Sequence, residues 1–161
     1  MSRFSKLEAD DEIIEVFNKI VLNKAFNDSS IFQIIADTNL KKLISIKLIS
    51  ECYELFLNKS VLVFVNPELF EMFKTDENLV NILFEQELDN IYTDEKSGKI
   101  KKSQYNLKTN FELIKKHTSD NIYKVNEMEK LAIESLKDSN KRDEFYEKLR
   151  DKIVVKPEIF E

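Results

Sequence analysis

The sequence predicts an α+β fold that is predominantly helical, with a small sheet packed on helices and a helical C-terminal extension. Hydrophobic residues make up 42% of the 161 residues and include twelve Phe, enough for one core. A single Gly and two Pro leave few tight turns, which argues against a many-stranded sandwich. Most apolar residues recur at helical spacing, and the run VLVFV is the clearest strand pattern. These observations favour long helices around a short sheet.

The first 60 residues are assigned from their apolar spacing. Residues 8–25 predict a helix after the acidic start EADDE. The run IFQIIA at 31–36 fits either a strand or a helix. Asp37 or Thr38 is a suitable cap for a second predicted helix. The apolar face of that helix consists of Leu40, Leu43, Ile44, Leu48, Cys52, Leu55 and Phe56.

The central segment combines the best strand with the best-capped helix. VLVFV at 61–65 predicts a strand, and Pro67 begins a short helix where its missing N–H is tolerated. Thr75 and Asp76 predict the start of a helix over about 76–91. The only glycine, in EKSGKIKK, predicts a hairpin at about 92–103 that forms the small sheet together with strand 61–65.

The C-terminal third predicts helices at about 106–117, 121–138 and 140–152. We expect one domain over 1–138, followed by a charged helix and an apolar tail over 139–161. An apolar tail after a charged helix either covers the core of its own domain or binds a partner. The candidate partner-binding residues are Phe145, Tyr146, Leu149, Ile153, Val155, Ile159 and Phe160.

The single cysteine, Cys52, excludes an intrachain disulfide and any zinc site built on several cysteines. Its place in the predicted apolar helix face favours core packing over reactivity. The N-terminus lacks a signal-peptide pattern, and no run approaches the ~18 apolar residues of a membrane helix. We therefore expect a cytoplasmic protein that does not enter a membrane.

One acidic residue of the predicted helix 76–91 falls among apolar neighbours. At ~100° per residue, Glu87 lies near the middle of the apolar side, whereas Glu85 points away from it. Because burying a carboxylate is costly, Glu87 needs a partner. That partner is either a Lys, a Tyr hydroxyl or a backbone N–H, in a structural role, or a catalytic metal site for which Glu87 is the base.

The order VLVFV, NPELF, ENLVNILFEQELDNI and DEKSGKIK within 61–117 resembles the phage-encoded metallopeptidases of the zincin type. In that family a helix carries HExxH, and a His-Asp pair after a hairpin supplies the third ligand. The resemblance implies that Glu87 matches the general base. Gln86 and Asn90 match the two histidines, and Tyr105 with Asn106 matches the His-Asp pair.

Because neutral amides are poor zinc ligands, the resemblance implies a pseudoenzyme without a metal or other cofactor. It also implies a phage-encoded protein that acts in the host cytoplasm. The only histidine, His117, matches no ligand spacing, and we expect it to be solvated near a helix C-terminus. A single glycine cannot form a phosphate-binding loop.

Charge changes sign within the predicted hairpin. Residues 68–95 contain nine acids and one lysine, whereas residues 96–117 contain seven lysines and one acid. The favoured interpretation is that consecutive elements neutralise each other. The alternative is a nucleic-acid surface in which a tyrosine stacks on bases. Its candidate residues are Lys99, Lys101, Lys102, Tyr105 and Lys108.

These observations together favour a non-catalytic intracellular accessory protein that acts by binding another protein, because binding requires only a surface. Three alternatives remain from the sequence. They are a metal-dependent hydrolase with Glu87 as its base, a nucleic-acid-binding protein, and a structural component of a virion.

Overall fold

The computed structural model describes residues 2–24, 26, 29–103 and 113–150, and it has the predicted α+β fold. The strands are β1 (Phe4–Lys6), β2 (Phe32–Asp37), β3 (Ile44–Leu48), β4 (Val61–Val65), β5 (Ile91–Thr93) and β6 (Ile100–Lys102). The helices are α1 (Glu12–Leu22), α2 (Glu51–Leu57), α3 (Pro67–Phe73), α4 (Glu77–Leu88), α5 (Ser119–Ser135) and α6 (Ser139–Arg150). Residues 29–31 form a 3-10 turn and residues 113–117 are helical.

Four strands form a mixed sheet in the order β1-β2-β4-β3. The central pair β2–β4 is parallel, with Ile34 opposite Val63, and both outer pairs are antiparallel. Strand 61–65 is thus confirmed, but its neighbours are β2 and β3 and not the predicted hairpin. The hairpin forms as a separate two-stranded sheet, β5–β6, whose turn places Gly98 at φ +69°.

The predicted second helix over residues 37–56 is wrong in its first half. Residues 44–48 form strand β3, in which Ile44 and Ile46 are buried while Lys47 is exposed. The apolar positions fit a period of two as well as the helical period. Pairing with β4 satisfies the backbone of this segment and buries both isoleucines, and those gains select the strand.

The core lies between one side of this sheet and the helices. Val61, Val63 and Val65 point from β4 into it. Helices α1, α3, α4 and α6 contribute the fully buried rings of Phe17, Phe70, Phe73, Phe84 and Phe145. None of the helices in the described ranges combines the length and apolar character needed to span a bilayer.

Two N-caps fix the helices that follow β4. The Asn66 side chain accepts hydrogen bonds from the N–H groups of Glu68 and Leu69 and donates to the carbonyl of Leu40. Asp76 caps α4 as predicted, accepting from the N–H groups of the second and third helical residues. The Asn66 cap sets where α3 begins, and the Asp76 cap sets where α4 begins and therefore how its acidic residues are oriented.

Candidate functional site

Glu87 is half-buried and forms an ion pair with Lys42, just before β3. The Lys42 Nζ atom lies 2.5 Å from Glu87 Oε1. The neighbouring Glu129 accepts a hydrogen bond from the Leu43 N–H at 3.0 Å, and burial raises the pKa of its carboxyl. Of the two roles that the sequence allows for Glu87, these contacts match the structural role, in which a lysine pairs with its charge.

The buried acid of α4 is Glu85, which was predicted to point outward. This residue is 4% exposed, and its carboxylate lies 2.8 Å from His117 Nε2 and 2.6 Å from Lys116 Nζ. The prediction assumed a single apolar side for this helix. Instead α4 is buried on most of its circumference, because residues 113–117 bring Lys116 and His117 against the side that carries Glu85.

His117 is therefore buried, and the expectation of a solvated histidine is wrong. Burial of Glu85 by itself raises the pKa of the carboxyl, but hydrogen bonds from His117 and Lys116 outweigh it. Together with the charge of Lys24 they lower that pKa to about 2. The Glu85 carboxylate is thus held ionised as the acceptor of a structural network.

Two of the four positions expected to match zincin ligands lie in the described part of the chain. Gln86 and Asn90 are half-buried beside Glu87, and their amides are unsuited to zinc. Tyr105 and Asn106 lie outside the described residues. Within the described ranges, no group of three or more His, Cys, Asp or Glu side chains could hold a metal ion.

The hairpin lysines make contacts within the protein. Lys99 pairs with Glu51 of α2, and Lys101 Nζ lies 2.6 Å from Asp94. Lys102 donates to the carbonyl of Ile46 at 2.8 Å, which joins the hairpin to β3. These contacts favour mutual neutralisation over a nucleic-acid surface. The remaining candidate, Lys108, lies outside the described residues.

The C-terminal partner-binding candidates divide into two groups. Phe145 is fully buried, with its ring centroid 5.4 Å from that of Phe73, so it is a core residue and unavailable to a partner. Leu149 packs against the same core, while Tyr146 is partly exposed. Ile153, Val155, Ile159 and Phe160 lie outside the described residues.

The other side of the four-stranded sheet is a surface that the sequence did not reveal. We call the strand residues on this side the open face. Phe4 contacts Phe64 there with ring centroids 6.0 Å apart, and Lys47 lies over the Phe64 ring. The half-buried or exposed residues of the open face are Phe4, Lys6, Gln33, Ile35, Ser45, Lys47, Leu62 and Phe64, and Asp37 is its buried member.

A groove of about 470 Å³ runs along the open face toward the end of α2. It is bordered by Leu57 and Lys59, and the floor includes Ile35 and Leu62. Among the described residues that line the groove there are two lysines and no acid. The groove is therefore apolar at its centre and basic at its rim.

Helix α2 adds further exposed apolar area beside the groove. None of its seven residues is buried, and Tyr53, Leu55, Phe56 and Leu57 are 53–85% exposed. Cys52 is exposed too, so the predicted core packing of this cysteine is wrong. Residues 52–57 are helical, as predicted, but their helix is shorter than predicted and its apolar residues do not face the core.

Comparison with known proteins provides no assignment. No protein-family model, curated protein or solved structure matches this chain. The open face and the acids of α4 are therefore the basis of the functional proposal.

Proposed function

We propose that this protein is a non-catalytic accessory protein that acts by binding another protein through the open face and α2. The observation that supports it is the apolar side of the sheet. Phe4 and Leu57 are about half exposed, and Ile35, Leu62 and Phe64 lie between them only half-buried. In the described ranges, the end of α2 is the only helical contribution to the groove.

The apolar residues of the open face favour a binding partner that removes them from water. A sheet with helices on one side only usually presents polar residues on its other side, whereas this sheet presents Ile35, Leu62 and Phe64 there. Each Å² of apolar surface removed from water contributes roughly 25 cal/mol. A partner that covers the open face and the exposed side of α2 thus gains a hydrophobic contribution from both surfaces.

The carboxylates of α4 support a non-catalytic role. Glu87, the counterpart of a zincin general base, is neutralised by Lys42, and Glu85 is held by His117 and Lys116. Both acids are thus engaged in contacts within the protein. The proposal includes descent from a zincin-like scaffold encoded by a phage and acting in the host cytoplasm. Its support is the order β4, α3, α4 and hairpin, with Glu87 between Gln86 and Asn90.

Affinity capture with the full chain as bait tests this proposal. Leu57→Asp and Phe4→Asp place a charge in the groove along the open face, at side chains that contribute little to the core. Leu22→Asp is the matched control, because Leu22 is an exposed leucine at the end of α1. We expect proteins captured by the native chain and by Leu22→Asp to be lost with both open-face variants.

Thermal unfolding of the four proteins provides the check on folding, with Tm values expected within a few degrees of each other. If folded Leu57→Asp and Phe4→Asp capture the same proteins as the native chain, the open face is not the binding surface.

A further inference from the structure

We infer that the segment that binds the open face is an amphipathic α-helix of another protein, with acidic residues flanking its apolar stripe. This inference rests on the proposed function and specifies the partner's chemistry. In it, the sheet becomes the middle layer of three, with its own helices on one side and the partner's helix on the other.

The topology favours a helix over a strand as the occupant. A strand adds to the edge of a sheet, where it pairs with free backbone groups. The edge at β3 is already engaged, since Lys102 donates to the Ile46 carbonyl and Glu129 accepts from the Leu43 N–H. The other edge, β1, is three residues long. The exposed apolar area lies on the flat side of the sheet, a surface against which the apolar stripe of a helix can pack.

The charge of the surface specifies acidic flanks for that helix. Lys6 and Lys59 line the groove, and Lys47 lies beside it over the Phe64 ring. Among the described strand residues on this side of the sheet, the one acid is Asp37, and it is buried in a bidentate ion pair with Arg3 at 2.9 and 3.0 Å. A chain of net charge −5 thus presents a basic rim around an apolar groove.

The same features argue against other occupants. A second copy of this chain bound by the same surface would oppose lysines to lysines, which costs energy. Nucleic acid requires contacts to phosphates, yet the centre of the groove is apolar. A membrane surface favours apolar side chains that project outward, whereas Ile35 and Leu62 lie in a recess.

Selection from a library of random 20-residue peptides displayed on phage tests the inference with the full chain as target. We expect enriched peptides to carry apolar residues at i, i+3, i+4 and i+7 with Asp or Glu beside them. Leu57→Asp should abolish their binding and Leu22→Asp should leave it unchanged. Circular dichroism of the synthetic peptide should show helix formation in the complex.

A charge exchange tests the role of the lysine rim. The double variant Lys6→Glu/Lys59→Glu should weaken the selected acidic peptide by about tenfold or more. The same peptide with Lys in place of its acids should regain binding to the double variant. Lys130→Glu/Lys141→Glu on α5 and α6 is the matched control, with an expected change below about twofold.

Several results would overturn the inference. They are enrichment of basic peptides, of peptides with strand-like alternation, or of none. A dimer that dissociates in the Leu57→Asp variant would also contradict it, as would binding to anionic phospholipid vesicles that Leu57→Asp abolishes. A further contradicting result is stronger peptide binding by the double variant Ile159→Asp/Phe160→Asp. That last result would assign the surface to the chain's own C-terminal segment.

The two proposals fail in different ways. A cellular partner that is lost with Leu57→Asp but binds through an extended or basic segment contradicts the helix inference alone. Enrichment of acidic helical peptides, with no cellular protein dependent on the open face, contradicts the proposed function alone.

Discussion

Two carboxylates on α4, Glu85 and Glu87, lie two residues apart and have different surroundings. Glu87 pairs with Lys42, and the Glu87 side chain is 16% exposed to solvent. Glu85 is enclosed, with His117 and Lys116 as partners. Removing one member of a buried pair is costly, because the other member is left desolvated without compensation. Glu85 is therefore the more important of the two acids for stability.

We expect Glu85→Gln to lower the free energy of unfolding by about 2 to 3 kcal/mol, because the amide cannot accept charged hydrogen bonds equally well. Glu87→Gln should lower it by less than about 1 kcal/mol, since its partner Lys42 is partly solvated. Urea denaturation of the two variants measures both values. Equal losses, or a larger loss for Glu87→Gln, would contradict this order.

The acid dependence of stability follows from the lowered pKa of Glu85. A carboxyl with a pKa of about 2 when folded and 4.5 when unfolded stabilises the fold above pH 4.5. That contribution, at most roughly 3 kcal/mol, is lost as the pH falls from 4.5 to about 2. Unfolding of the native protein and Glu85→Gln across this range should show the difference between them shrinking. A difference that stays constant with pH would contradict the assignment.

At the scale of elements, the strand β3 and the helix α6 show how packing selects among local possibilities. Residues 44–48 have apolar spacing suited to either structure, and pairing with Val61–Val65 makes them a strand. Helix α6 is strongly charged, with Phe145 as its buried anchor. The Phe145 ring contacts Phe73, and Leu149 packs beside it against the same core.

Phe145→Ala should therefore cost roughly 3 to 5 kcal/mol, the range for a large ring removed from a core. Tyr146→Ala, at the adjacent and partly exposed position, should cost about 1 kcal/mol. Chemical denaturation measures both. A cost below about 1 kcal/mol for Phe145→Ala would show that this residue is not part of the core and restore it as a partner-binding candidate.

At the scale of the whole molecule, helices cover one side of a sheet whose central strands are parallel. The opposite side combines an apolar groove with a basic rim in a chain of net negative charge. Neither feature belongs to a single element, because the groove is assembled from β1, β2, β4 and the end of α2. This surface is the one through which we propose that the protein binds a partner.

The response to zinc distinguishes the proposed binding function from a metal-dependent hydrolase. Because Gln86 and Asn90 supply amides where zinc requires imidazole or carboxylate, we expect excess zinc sulfate or EDTA to change Tm by less than about 1 °C. A ligand that binds the folded state raises Tm by mass action. A zinc-dependent rise in Tm that is lost with Glu87→Gln would instead favour the hydrolase.

The sequence by itself determined the features that depend on neighbouring residues. Strand 61–65, the helix start at Pro67, the Asp76 cap and the turn at Gly98 follow from local spacing and backbone preference, and all are present. Only the tertiary structure decided the rest. Ile44 becomes part of a strand by pairing with Val65, and Glu85 becomes buried through His117, 32 residues later. The open face exists because segments far apart in the chain pair into one sheet, and no local pattern reports which side of that sheet its helices leave uncovered.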